Sequence, residues 1–194
     1  MKNLKAILTV IVLSTTVYSS EILKNTFIDV SKGYTYTPYN KKDLVGSINI
    51  NSLDKNGYLY DFGIGYRFSE NIFSTLNYQY SKLDEMSFDD YYLTLNYQLD
   101  YELNPYFGVL IGKSFLNWEK DPINSARNID WSSGSMLYGI QTGFEYQFSE
   151  KFSLVPKLIY IRTDHGANLI SLPARSYIEH DSKTQLMLGL RYNF

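Results

Sequence analysis

The chain is predicted to be all-β, an eight-stranded antiparallel transmembrane up-and-down barrel. Three observations predict it. Apolar and polar residues alternate with a period of two along most of the sequence, the mark of a two-faced strand. The connections between these segments alternate short and long. The polar faces carry Gly, Thr, Asn, Gln and Ser with few charges, whereas a water-facing surface is rich in Lys and Glu.

Composition bounds the alternatives. A length of 194 residues suits one domain. Lys plus Arg number 18 against 20 Asp plus Glu, a net charge of −2, which gives no basic surface for nucleic acid. The absence of cysteine excludes disulfides, Cys-based metal sites and thiol catalysis. No run of apolar residues is long enough for a membrane-spanning helix. Tyrosine alone contributes 19 residues.

Residues 1–19 read as a cleaved secretory signal, leaving 20–194 as the barrel domain. Lys2 and Lys5 form its charged start, Ala6 to Leu13 its apolar stretch, and Val17 and Ser19 the small-residue positions before cleavage. The first strand is expected over 27–37, with Ile28, Val30, Tyr34 and Tyr36 on one face, although Lys32 shares it and suggests a bulge or a slipped register. The second, 58–68, is the clearest: Tyr58, Tyr60, Phe62, Ile64, Tyr66 and Phe68 alternate with Leu59, Asp61, Gly63, Gly65 and Arg67. Strands three to five follow at 72–80, 91–99 and 107–112. Strand six covers 138–148. Strand seven, 152–162, is apolar on both faces. Strand eight covers 185–194.

Strands two, four, six and eight end alike, on Gly65-Tyr-Arg-Phe68, Asn96-Tyr-Gln-Leu99, Glu145-Tyr-Gln-Phe148 and Arg191-Tyr-Asn-Phe194. Short turns at 69–71, 100–104 and 149–151 follow the first three. The other rim carries longer connections at 38–57, 83–88, 117–134 and 164–181. Short turns at one end, long loops at the other and an even strand count are the layout of an outer-membrane barrel. Aromatics gather near strand ends and aliphatics nearer the middle, as girdles at two lipid–water interfaces would require. The apolar face should therefore point outward to lipid, and the glycine-rich face into a crowded lumen. Lys113, near the long-loop rim, can snorkel.

The alternating segments, together with Asn104-Pro-Tyr-Phe-Gly-Val-Leu-Ile-Gly112, Tyr138-Gly-Ile-Gln-Thr-Gly-Phe-Glu-Tyr146 and Leu190-Arg-Tyr-Asn-Phe194, resemble the small outer-membrane β-barrel family of OmpA/OmpX-like, porin-family proteins. The resemblance covers nearly the whole chain after the signal. It implies a Gram-negative outer-membrane protein, in contact with membrane lipid and lipopolysaccharide, monomeric, and displaying four loops to an extracellular ligand. It also implies that Tyr192 and Phe194 match the terminal signal read by the barrel-assembly machinery. No metal-ligand spacing is present, and no cofactor is expected.

Inward charges balance: Asp29, Asp61 and Glu145 against Arg67, Lys157 and Arg191. Asp29 is expected between Arg67 and Arg191, and Glu145 within diagonal reach of Lys157. Together they would form an ion-paired plug at the short-turn end; a proton or ion path is the alternative for these charges, and a narrow pore for small solutes the alternative for the whole protein. Enzyme chemistry has one weak candidate. His180 and Ser182 lie two apart, hence on one strand face, and the spacing resembles that of lipid A deacylases. A chance pairing in a polar loop is the simpler reading. In the third loop Trp118 and Trp131 read as girdle anchors or, as the alternative, contact residues, flanking Glu119, Lys120, Asp121, Arg127 and Asp130. In the fourth, Leu169-Ile-Ser-Leu172-Pro173-Ala174 could fold over the barrel mouth or meet a partner.

Overall fold

The computed structural model describes residues 23–48, 53–121, 123, 128–171 and 174–194. The expected signal at 1–19, and Arg127, Leu172 and Pro173, lie outside the described residues. The described strands are β1 (Thr26–Tyr36), β2 (Asn40–Val45), β3 (Asn56–Arg67), β4 (Ile72–Lys82), β5 (Met86–Gln98), β6 (Pro105–Lys120), β7 (Asn128–Phe144), β8 (Tyr146–Gln147), β9 (Phe152–Ser171) and β10 (Ala174–Asn193). All pairs are antiparallel, and β1 pairs with β10 to close the wall. Eight wall strands result, because β7 and β8 are one strand interrupted at Glu145 and β2 lies above the barrel against β10.

The wall is strongly sheared. Stepping from Thr26 across Tyr66, Ser74, Leu95, Val109, Ile140, Tyr160 and Thr184 returns to β1 at Tyr36, ten residues up the strand. Over eight strands that stagger corresponds to a tilt of about 40°.

The barrel is apolar outside and polar inside. On β9 the outward residues Phe152, Leu154, Pro156, Leu158 and Tyr160 alternate with buried Ser153, Val155, Lys157, Ile159 and Ile161. The lumen-facing side of this strand packs into apolar clusters, which explains why both its faces read as apolar. From Phe152 to Tyr160 the strand climbs about 20 Å at that tilt, close to the height of a transmembrane apolar band. Arg162 and Asp164 continue the outward face above it. Exposed Val30, Leu76, Leu93, Val109, Ile140 and Leu188 complete the belt, with Tyr34, Tyr60, Tyr91 and Tyr138 toward its loop-side edge. Such a surface is stable only in lipid, where a closed barrel satisfies its own backbone.

Lys32 needs neither bulge nor slip. The β1 ladder runs unbroken past it, to Tyr60 on one side and Leu188 on the other, and the side chain points outward. Its ammonium lies 5.5 Å from the centre of the Tyr60 ring, a cation–π contact that offsets part of its cost at the lipid face.

The long connections also differ from expectation. Most of 117–134 and 164–181 is strand, so β6–β7 and β9–β10 are tall hairpins that rise beyond the belt. Their polar and mixed sequences hide the alternation, because above the membrane neither face is lipid-exposed. A seam separates these hairpins. β7 pairs with β9 only from Tyr138 to Gly143. Above that, side chains bridge the two: Ser133 Oγ is 2.8 Å from His165 Nδ1, and Ser135 Oγ accepts from the Asp164 N–H at 2.8 Å.

Candidate functional site

All six predicted lumen residues face inward; Asp29, Asp61, Glu145, Lys157 and Arg191 are buried. At the short-turn end Arg191 is the hub. Its Nε and Nη2 donate to the two oxygens of Asp29 at 2.7 and 2.9 Å, and Nη1 donates to Glu145 Oε2 at 2.7 Å. Its guanidinium carbon lies 3.8 Å from the centre of the Phe27 ring. That ring lies flat over Gly65, where a Cβ would come within 2.1 Å of it, so only glycine leaves room for the stack.

Arg67 does not join Asp29. It donates instead to Glu145 Oε2 at 2.6 Å and to Gln98 Oε1 at 2.7 Å. Glu145, not Asp29, is therefore the carboxylate held by two arginines. The break between β7 and β8 sets it there: its backbone N–H turns to the carbonyls of Leu103 and Asn104. Lys157 is likewise not beside Glu145. It reaches across the lumen to Asp61 Oδ1 at 2.7 Å, and the Tyr92 hydroxyl donates to the other oxygen at 2.7 Å. Neighbouring-strand logic missed both contacts, because in so narrow a barrel a long side chain reaches the opposite wall. Below the arginines a polar cup of about 450 Å³ opens at the short-turn rim, lined in part by Arg67, Glu70, Gln98 and Glu145.

A further buried ion pair lies outside the six expected residues. Lys183 donates to both oxygens of Asp90 at 2.8 and 2.7 Å, and both side chains are fully buried. Lys183 also donates to Ser114 Oγ at 3.2 Å and lies 3.9 Å from the Phe88 ring centre. Ser114 Oγ is 2.9 Å from His165 Nε2. The signal was present: Lys183 shares parity with Gln185 and Met187, and Asp90 with Tyr92 and Thr94. Both lie just beyond the strand starts expected at 185 and 91.

An apolar cluster closes the loop-side mouth, formed by Ile48, Leu53, Leu83, Met86, Phe88, Leu116, Trp118, Leu169 and Ile178. Trp118 is thus not a girdle anchor. It points inward, 3% exposed, while its strand partner Trp131 shares a small cleft with it at the top of the seam. Leu169, from the expected mouth-covering run, is in the cluster.

His180 and Ser182 do not share a face. The β9–β10 register slips between them, so His180 pairs with inward His165 while Ser182 pairs with outward Arg162. There β9 sets two residues, Thr163 and Asp164, against the single Asp181 of β10, and this irregularity inverts the parity that the spacing implied. Among the described residues the Ser182 hydroxyl bonds to neighbouring Asp181, at 3.0 Å. His180 sits among the rings of Tyr39, Phe88 and Trp118. The Ser133–His165–Ser114 chain has nucleophile-like geometry, but burial, reinforced by the Lys183 ammonium, pushes His165 down to about 3. A general base works best with a pKa near the working pH. Among the described residues no group of three or more His, Cys, Asp or Glu could hold a metal.

Both histidines lie above the lipid belt. Burial pushes His180 down to about 4; the Pro38 carbonyl and Asp181 oppose the shift and Lys183 adds to it. Each imidazole binds a proton more weakly folded than unfolded. The stability of the neutral form is complete above the unfolded value near 6.5 and shrinks as pH falls toward 4 and 3. Denaturant unfolding in detergent should therefore lose on the order of 2 kcal/mol per histidine by about pH 5. His165→Gln should flatten that slope by about half. An unchanged slope would mean that the ring is already solvated.

No family model and no curated relative matches the chain. Solved structures do. Neisserial surface protein A aligns with a TM-score of 0.61 at 14% identity, covering 87% of this chain and 97% of that one. A major outer membrane protein from Thermus thermophilus gives 0.52 at 12% identity, covering 87% and 99%. Outer membrane protein H from P. aeruginosa gives 0.51 at 21% identity, covering 88% and 99%. At these identities the likeness is one of fold, and the fold is that of the small outer-membrane β-barrels.

Proposed function

We propose, with that fold as premise, that the protein is a monomeric integral outer-membrane barrel acting as a structural or surface-interaction protein, without a solute channel. One observation carries this reading: above the polar cup at the short-turn rim, the lumen is filled up to its loop-side mouth. Ion pairs occupy it at the short-turn end, Leu59, Leu110, Leu137, Ile159 and Met187 pack its middle, and the apolar cluster closes its mouth. What projects into the medium is the pair of tall hairpins, and loops positioned by a rigid scaffold commonly carry function. In the orientation usual for such barrels the short turns face the periplasm. Membrane lipid and lipopolysaccharide surround the belt, and an extracellular ligand would meet the hairpins. Tyr192 and Phe194, packed edge to face at 5.1 Å on the short-turn rim, are proposed as the residues read by the assembly machinery.

Electrophoretic mobility of the outer-membrane fraction, with and without boiling, tests the barrel. The folded form should resist detergent and shift only on heating. Recovery in the soluble fraction without a shift would overturn the reading. Planar-bilayer recordings separate anchor from pore: the wild type should give no discrete conductance steps. Lipid A mass spectra should be the same with and without the protein, since His180 and Ser182 face opposite ways.

A further inference from the structure

The lipid face is not evenly covered. Register places Leu95, Val109, Ile140 and Tyr160 in one inclined row, and Tyr97, Phe107, Thr142 and Leu158 in the row on its short-turn side. Thr142 is the one small side chain there, where its neighbours are aromatic or aliphatic. Its hydroxyl donates to the Tyr106 carbonyl at 3.0 Å, so its polar atom is satisfied by backbone. Around it the two rows part into a groove of about 580 Å³, walled almost entirely by apolar side chains. The groove is continuous with the belt, so hydrocarbon is the medium that fills it. It runs from the upper girdle at Tyr160 toward Tyr97 and Phe107 on the short-turn side.

The rim at the short-turn end of the groove is acidic; the third short turn, 149–151, carries Glu150 and Lys151, and Lys151 turns away to the Tyr192 hydroxyl on β10 at 3.3 Å. The two nearest turns, 69–71 and 100–104, carry Glu70, Asp100 and Glu102 and no basic residue. Like charge disfavours an anionic headgroup there, and opposite charge favours an ammonium.

We propose that this groove holds one acyl chain of an inner-leaflet phospholipid whose headgroup carries an ammonium, with Asp100 and Glu102 receiving that ammonium. The inference rests on the orientation given above, with short turns toward the periplasm. Retention comes from dispersion contacts along the groove, because the lipid around it offers no hydrophobic driving force.

The test is native mass spectrometry of the full chain, folded in vesicles of equal ethanolamine and glycerol phospholipids and released in mild detergent. The wild type should retain one phospholipid, mostly with the ethanolamine headgroup. Thr142→Trp fills the groove and removes roughly ten carbon contacts, worth about tenfold in retention. Asp100→Lys with Glu102→Lys should reverse the headgroup preference without emptying the groove. No retained lipid in the wild type, or equal retention in Thr142→Trp, would overturn the groove assignment. Equal uptake of both headgroups, unmoved by the lysines, would overturn the headgroup assignment. A species of twice the chain mass that Thr142→Trp abolishes would assign the groove to a second copy instead. Heat-shifted mobility checks that each variant folds, and Val109→Phe, from the opposite wall, replaces Thr142→Trp if that variant does not. Failure of the wild type to show the heat shift would defeat the membrane reading, a result distinct from an empty groove.

Discussion

Arg191→Met should destabilise the barrel by about 3–5 kcal/mol, the usual cost of removing one partner from a buried ion pair. Three losses coincide. Asp29 loses both of its charge-assisted hydrogen bonds, Glu145 keeps only Arg67, and the Phe27 ring loses the cation stacked on it. Methionine fills much of the volume, so the effect reports charge rather than a cavity. The check is denaturant unfolding in detergent, followed by the fraction that keeps the unboiled mobility. Adding Asp29→Asn should recover part of the loss, because a neutral amide tolerates burial better than an orphan carboxylate. Arg67→Ala should cost less, since Arg67 is 23% exposed and borders the polar cup. If Arg191→Met changed stability by less than about 1 kcal/mol and left the bilayer silent, these ions would be no plug.

The period-two alternation made the fold legible, because lipid on one side and a narrow lumen on the other impose opposite chemistries on successive residues. It failed where those conditions stop. Above the belt β9 and β10 continue through Asn168 and Ser176, yet their outward residues meet water, and the contrast between faces fades. Inside, parity showed which residues point inward but not whom they meet. Lys157 and Asp61 stand on β9 and β3, which do not pair, so no ladder links them. The register slip opposite Asp181 leaves no mark in composition, and it decides that His180 is buried while Ser182 is not. Lys32 erred the other way. A cation in an apolar row reads as a fault in register, whereas Tyr60 beside it supplies a partner for the ammonium.

The lumen charges also close as a set once Asp90 and Lys183 are added: Asp29, Asp61, Asp90 and Glu145 against Arg67, Lys157, Lys183 and Arg191. Each carboxylate has a cation from a different strand, and three of the cations come from β9 and β10. The last two strands thus carry most of the positive charge that the earlier strands need. Closure of β10 onto β1 would then complete the neutralisation, which ties register at the closing seam to charge as well as to the ladder.

Lys183→Met isolates that idea. Asp90 and Lys183 stand on β5 and β10, which are not neighbours, and neither side chain has solvent access. Removing the ammonium leaves the Asp90 carboxylate fully buried without its cation, at a cost of about 3–5 kcal/mol. The double variant Lys183→Met, Asp90→Leu should return to within about 1 kcal/mol of wild type or exceed it, because the desolvation of both charges disappears together. Stability and fidelity would then separate. If the pair sets register, the double variant should fold into the barrel more slowly, or with a misfolded fraction visible as a second unboiled band, while its folded form unfolds no more easily. If it folds as cleanly and as fast as wild type, the pair has no part in register and is only a tolerated charge. If the double variant stays as unstable as Lys183→Met, the contact with Phe88 and Ser114, rather than the ion pair, holds that level of the lumen together.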